Sequence, residues 1–152
     1  MNEYMKKAIE LALENVEDGG DPYGALIVHE GVVIASGVNT THKYHDVSGH
    51  AELIAIKKAQ MLLERIDLSD CILYASAHPC AMCFSAAVFS GIQEIYYCNT
   101  LEEASAIGMG LSKDIYDYLL GDKNKLDLKL EHVKHSDGVM DPFAIWSTEK
   151  KQ

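Results

Sequence analysis

Positive charge is what this chain has least of. Thirteen Lys and Arg face twenty-three Asp and Glu in 152 residues, a formal net charge of -10. The lysine pairs Lys6-Lys7, Lys57-Lys58 and Lys150-Lys151 are scattered along the chain. A surface of that sign repels phosphate unless its cations gather in one patch, so the charge balance disfavours a nucleic-acid partner. No apolar run is long enough to span a bilayer, and Glu3 interrupts the start before any leader-like stretch. A cytoplasmic location and no membrane partner are the expectation. Internal repeats, low-complexity tracts and linkers are missing, so one domain over residues 1–152 is expected, long enough for a sizeable core. The Gly108-Met109-Gly110 stretch lacks the third glycine and preceding strand of a dinucleotide motif.

Periodicity then outlines the elements. Met5, Ile9, Ala12 and Val16 give a helical stripe over residues 2–17, broken by Asp18-Gly19-Gly20-Asp21-Pro22. Apolar runs at 25–28 and 32–35 flank Glu30-Gly31 and predict an antiparallel hairpin. Residues 37–48 are expected as a polar loop. A buried helix is expected from about 49 to 64, with Leu53, Ile54, Ile56, Ala59, Leu62 and Leu63 on its surface. Strands are expected at 71–75 and 94–98. Pro79 suits the first turn of a helix that ends near Gly91. A short helix capped by Thr100, another near 114–120, an edge strand at 126–133 and a helix opened by Asp141-Pro142 complete the chain. The order is α-β-β-α-β-α-β-α-β-α, which predicts an α/β sheet with helices on both faces.

The chemistry concentrates in two short segments, His50-Ala51-Glu52 and Pro79-Cys80-Ala81-Met82-Cys83. Both fall at expected helix N-termini beside strand ends. Cys80 and Cys83, three apart, share a helix face, and thiolates are favoured at the positive end of a helix. His50 adds a nitrogen. Three protein ligands are the count of a catalytic zinc site, whose fourth position stays open. Glu52 is then a carboxylate free of the metal that can shuttle protons. That inventory fits hydrolytic deamination, in which zinc activates a water and a glutamate moves its protons. Other readings of the same residues stand beside it. A redox Cys-x-x-Cys would not require His-x-Glu. A structural zinc in a non-catalytic binding module needs a fourth ligand, from Cys71, Cys98, His45 or His78. Among the aromatics, Tyr23, Phe89 and Trp146 are the ones considered for stacking on a planar substrate.

With these motifs the chain resembles the cytidine deaminase superfamily, and within it the bacterial guanine deaminases. Further segments carry the likeness: 21–28, Gly37-Val38-Asn39, 70–76 and 142–146. Several are shared by the transfer RNA adenosine deaminases, which supply the alternative function; cytosine, nucleoside or triazine deamination are further alternatives. The resemblance implies a three-layer α-β-α sandwich around a mixed five-stranded sheet. It implies His50, Cys80 and Cys83 as zinc ligands and Glu52 as proton shuttle. It implies Asn39, the Ala51 backbone and Phe89 as contacts to a small-molecule base. It also implies a homodimer whose C-terminal segments, about 141–152 with Trp146, are exchanged and close the partner's pocket. The chain departs from the family pattern in three places. His78 stands where the family usually has Glu. Gly110 and Leu111 stand where it carries acidic residues, with Asp114 close by as the replacement for a second carboxylate. Gln152 stands where it has an aromatic residue.

Overall fold

Residues 1–150, which this computed structural model describes, run as α1 (Glu3–Glu17), β1 (Gly24–His29), β2 (Val32–Val38), α2 (Thr41–Tyr44), α3 (Ala51–Leu63), β3 (Cys71–Ala77), α4 (Ala81–Phe89), β4 (Glu94–Asn99), α5 (Leu101–Ala106), α6 (Leu111–Leu119) and α7 (Pro142–Lys150). Gln152, the expected departure at the C-terminal end, lies outside the described residues.

The strands form one mixed sheet in the order β2-β1-β3-β4. β1 is antiparallel to β2 and β3, and β3 is parallel to β4. Alternation along β1 sends its side chains to two different cores. Ala25 and Ile27 pack with Leu73, Ala51, Ala55, Ile56, Ala59 and Ala87, under α3 and α4. Leu26 and Val28 pack with Met5, Ala8 and Tyr74, under α1. Helices thus cover both faces, which explains why β1 reads as an unbroken apolar run. The Glu30-Gly31 turn has φ of 49° and 77°, both left-handed, as a two-residue hairpin requires.

The sheet has four strands, not the five expected. Residues 126–133 form no strand, and Leu128, Leu130 and Val133 are exposed. Alternation describes what one side of a segment could bury; it does not supply a neighbouring edge to pair with. Other departures are local. Val16 and Leu62 point outward, and the α1 stripe is Met5, Ala8, Ala12 and Asn15. The polar 37–48 segment begins inside β2 and contains the single turn of α2.

Two details place the functional end of the sheet. A Cβ on Gly37 would run into the Ala51 carbonyl and crowd Ile54. β2 and the start of α3 can approach this closely only with glycine there. Asn15, at the end of α1, donates from Nδ2 to the carbonyls of Asp21 (2.7 Å) and Asn39 (2.9 Å). That pins the β2–α2 corner from beneath. No helix among the described residues is long and apolar enough to cross a membrane.

Candidate active site

The two motifs use the same local device. His50 is the N-cap of α3 and Cys80 the N-cap of α4, each with extended backbone angles (φ -84°, ψ 146° and φ -64°, ψ 168°). Glu52 and Cys83 lie in the first turns that follow. Were His50 helical, a two-residue offset would turn Glu52 to the opposite side. Because His50 is not yet helical, both side chains serve one site off the helix end. The same holds for Cys80 and Cys83: an N-cap and a first-turn residue converge, as they do in side-chain capping.

His50 Nδ1 lies 3.4 Å from Cys80 Sγ and 3.6 Å from Cys83 Sγ. A tetrahedral zinc, with Zn–N near 2.0–2.1 Å and Zn–S near 2.3 Å, keeps such donors roughly 3.5–3.8 Å apart. The spacing therefore fits. No fourth His, Cys, Asp or Glu joins the cluster among the described residues, so the donor set is that of an open site, not a closed structural one. The thiols are free, without a disulfide.

The electrostatics agree with this geometry. A hydrogen bond from Cys83, aided by His50, brings the Cys80 thiol down to about 4, while the proton shared with Cys80 and burial push Cys83 upward. The Cys80 hydrogen bond raises the His50 imidazole. Protons shared among three converging donors are what a divalent cation displaces. Glu52 is 5% exposed, and burial raises its carboxyl above the ordinary range.

These groups line a cavity of about 490 Å³, mostly apolar, whose walls include Tyr23, Asn39, His78, Met109, Ser112 and Ile115. This is the size and character of a small-molecule site. Asn39 is buried, and its Oδ1 accepts from the Thr41 N–H (3.1 Å) and hydroxyl (2.9 Å). A backbone N–H can only donate, so the oxygen faces Thr41 and the amide NH₂ is left for the cavity. Tyr23 donates to Met109 Sδ at 3.0 Å. Ala51 lines the cavity at the first residue of α3.

Not every candidate is brought here. Phe89, 88% exposed, lines a separate groove with Tyr44, Leu53 and Lys57. Trp146, 61% exposed, lies on α7 beside Pro142 and Phe143, away from the cavity of its own chain. Asp114 sits on α6 between two lining residues, Ser112 and Ile115, without lining the cavity itself. Sequence reasoning missed Thr41, Met109, Ser112 and Ile115. A motif search has no signal for them, because α2 and the α5–α6 region meet the site only through tertiary packing.

The pattern of the cytidine and deoxycytidylate deaminase zinc-binding region matches residues 1–99. The chain belongs to the cytidine and deoxycytidylate deaminase family. As a member it is a zinc-dependent aminohydrolase, and His50, Cys80 and Cys83 are donors that suit the zinc. The guanine deaminase of Bacillus subtilis is 40% identical over 106 residues, 69% of this chain and 68% of that one. An X-ray structure of guanine deaminase from that organism matches with a TM-score of 0.87 at 33% identity, covering 97% of this chain and 95% of that chain. The tRNA-specific adenosine deaminase of Aquifex aeolicus is 37% identical over 94 residues, 62% of each. This deaminase thus spans less than two thirds of the Aquifex enzyme.

Proposed function

We propose that the protein hydrolyses the amino group of a free nucleobase, guanine to xanthine with release of ammonia. The reading rests on the open three-donor cluster and the buried Glu52 at the wall of one small cavity. Whole-chain similarity to a guanine deaminase supports the choice of base.

In this reading His50, Cys80 and Cys83 hold the zinc. When bound, zinc acts as a Lewis acid that lowers the pKa of a water from about 15.7 towards about 7. Glu52 would take one proton from the water and pass it to a ring nitrogen, then carry the remaining hydroxyl proton to the amine, which leaves as ammonia as the carbonyl forms. Its burial among apolar walls favours a carboxyl that accepts and releases a proton readily. Asn39 donates its amide N–H to an acceptor on the base, and the Ala51 backbone offers a second polar contact. Tyr23 and the apolar wall hold the ring plane and exclude bulk water.

The chain is further proposed to act as a homodimer in the cytoplasm, with residues from about 141 exchanged. Phe143, Ile145 and Trp146 on α7 are exposed, and apolar side chains on one short helix favour a partner surface. In that arrangement Trp146 would close the partner's pocket, and Asp114 would supply the second carboxylate. An RNA substrate is the weaker alternative, since a net charge of -10 opposes phosphate binding.

Ammonia release measured across guanine, adenine, cytosine, their nucleosides and aminated triazines tests this. Guanine should be turned over well above the rest. Exclusive activity on an RNA stem-loop, or on another heterocycle, contradicts the reading.

A further inference from the structure

His78 lines the cavity, and the reaction above leaves its chemistry unused. Its Nδ1 lies 2.9 Å from the carbonyl oxygen of Pro79. A carbonyl can only accept, so Nδ1 carries the proton, and in the neutral ring Nε2 holds a lone pair. Three features fix the ring. Its backbone N–H donates to the Asn99 carbonyl (2.8 Å), tying the end of β3 to β4. The Tyr116 hydroxyl donates to the same Pro79 carbonyl at 2.7 Å. The rings of Tyr97 and Tyr116 stand edge-on to the imidazole, with centroids 4.6 and 5.3 Å away. Nε2 has no hydrogen-bond partner among the described residues and is not sealed from solvent, while the residue lines the cavity.

The rest of the polar lining makes that lone pair informative. Asn39 offers a donor, Tyr23 spends its hydroxyl on Met109, Thr41 donates to Asn39, Thr100 caps α5 and Glu52 is committed to proton transfer, which leaves Asp21 and Ser112 beside His78. An amide donor and the imidazole Nε2 acceptor in a mostly apolar cavity suit a planar heterocycle bearing both an acceptor and a ring N–H. This is the hydrogen-bond pattern of a lactam base. We propose that His78 is a specificity-determining residue whose Nε2 accepts a hydrogen bond from a ring N–H of the bound base. It selects uncharged bases with that N–H and disfavours those in which the nitrogen is substituted. The inference rests on the nucleobase reading above.

Two conservative variants separate recognition from scaffold. In His78→Asn the amide can take over the Nδ1 contact to Pro79, but nothing reaches the place of Nε2. In His78→Gln the longer amide reaches that place and the Pro79 contact is lost. With the zinc-loaded enzyme and guanine, His78→Asn should raise KM by about 10- to 100-fold, the cost of an unpaired polar group. Its kcat and zinc content should stay near wild type, and His78→Gln should recover most of the KM. The cycle is completed with 1-methylguanine and 9-methylguanine. The base that has lost the paired N–H should show no further rise in KM in the Asn variant. Equal impairment by Asn and Gln, an unchanged KM in His78→Asn, or an equal rise for both methylated bases overturns the proposal. If His78→Asn fails to fold, a His78→Gln variant that binds guanine no better than the methylated bases overturns it alone. Wild-type enzyme that releases no ammonia from guanine is a separate result, which defeats the functional reading itself.

Discussion

The zinc corner and the C-terminal third of this deaminase are built on opposite terms. Around His50, Glu52, Cys80 and Cys83, the inner faces of α3 and α4 are packed against the sheet. Ala51, Ala55 and Ala87 lie in the core between sheet and helices, and Gly37 lets β2 press against the start of α3. Beyond α6 the described chain has no strand, and Leu130, Val133, Met140 and Phe143 face outward. The reacting end is therefore fixed by the fold of the single chain. The proposed exchange of the C-terminal segment would put to use apolar residues that this chain alone leaves uncovered. On that proposal the chemistry rests on the packed part and assembly on the less supported one.

Removing the proton carrier from the packed region should have the largest effect. Glu52→Gln is close in volume and leaves all three zinc donors in place. It should retain stoichiometric zinc by elemental analysis and lose about 10²- to 10⁴-fold or more in kcat. Loss of metal together with near-normal turnover would reverse the assigned roles.

Packing beneath the corner comes next. Gly37→Ala places a methyl group against the Ala51 carbonyl. Overpacking of this kind costs about 1–3 kcal/mol. At roughly 2–4 °C per kcal/mol for a chain of this size, calorimetry should record a lower Tm. Activity should fall too, because the displaced backbone carries Glu52. A Tm like that of the wild type would show that β2 and α3 are free to separate.

The exposed region answers differently. Trp146→Ala should leave the folded monomer's Tm and zinc content unchanged. If the proposed segment exchange holds, it should raise KM and weaken self-association in sedimentation experiments, because the side chain is already exposed within its own chain. A large loss of stability in dilute monomer would place Trp146 with the packed half instead.

The smallest expected effect is electrostatic. Asp70 accepts hydrogen bonds from Arg65 (2.7 Å) and from His29 (2.9 Å), and the Arg65 contact foremost holds its carboxyl at about 2, against 3.8 when free. A carboxyl lowered by folding stabilises the native state above its unfolded pKa, and that contribution is lost as pH falls through the folded value. The pair is at the surface, so the effect is modest. The Tm difference between wild type and Asp70→Asn should be fullest above about pH 4. It should shrink towards pH 2, and salt should weaken it.

The same contrast explains what the sequence could reveal. His50, Glu52, Cys80 and Cys83 are legible because zinc chemistry restricts residue type and helix starts restrict spacing. β1, β3 and the Glu30-Gly31 hairpin are legible because two-sided burial demands apolar runs and the turn demands left-handed backbone. Asn15 is invisible as a buried residue because its reward is two distant carbonyls. Residues 126–133 mislead because their alternation has no edge to join. Phe89 has a suitable aromatic ring, but α4 carries it to a different groove from the cavity. Ser112 could be found only after folding, as a buried hydroxyl on the cavity wall without a partner.

X-ray absorption at the zinc edge of the loaded, substrate-free protein tests the central claim most directly. Two sulfur ligands near 2.3 Å, one imidazole nitrogen near 2.0–2.1 Å and a single exchangeable light atom in the fourth position are expected. A shell closed by a fourth protein ligand, or the absence of stoichiometric zinc, would contradict it.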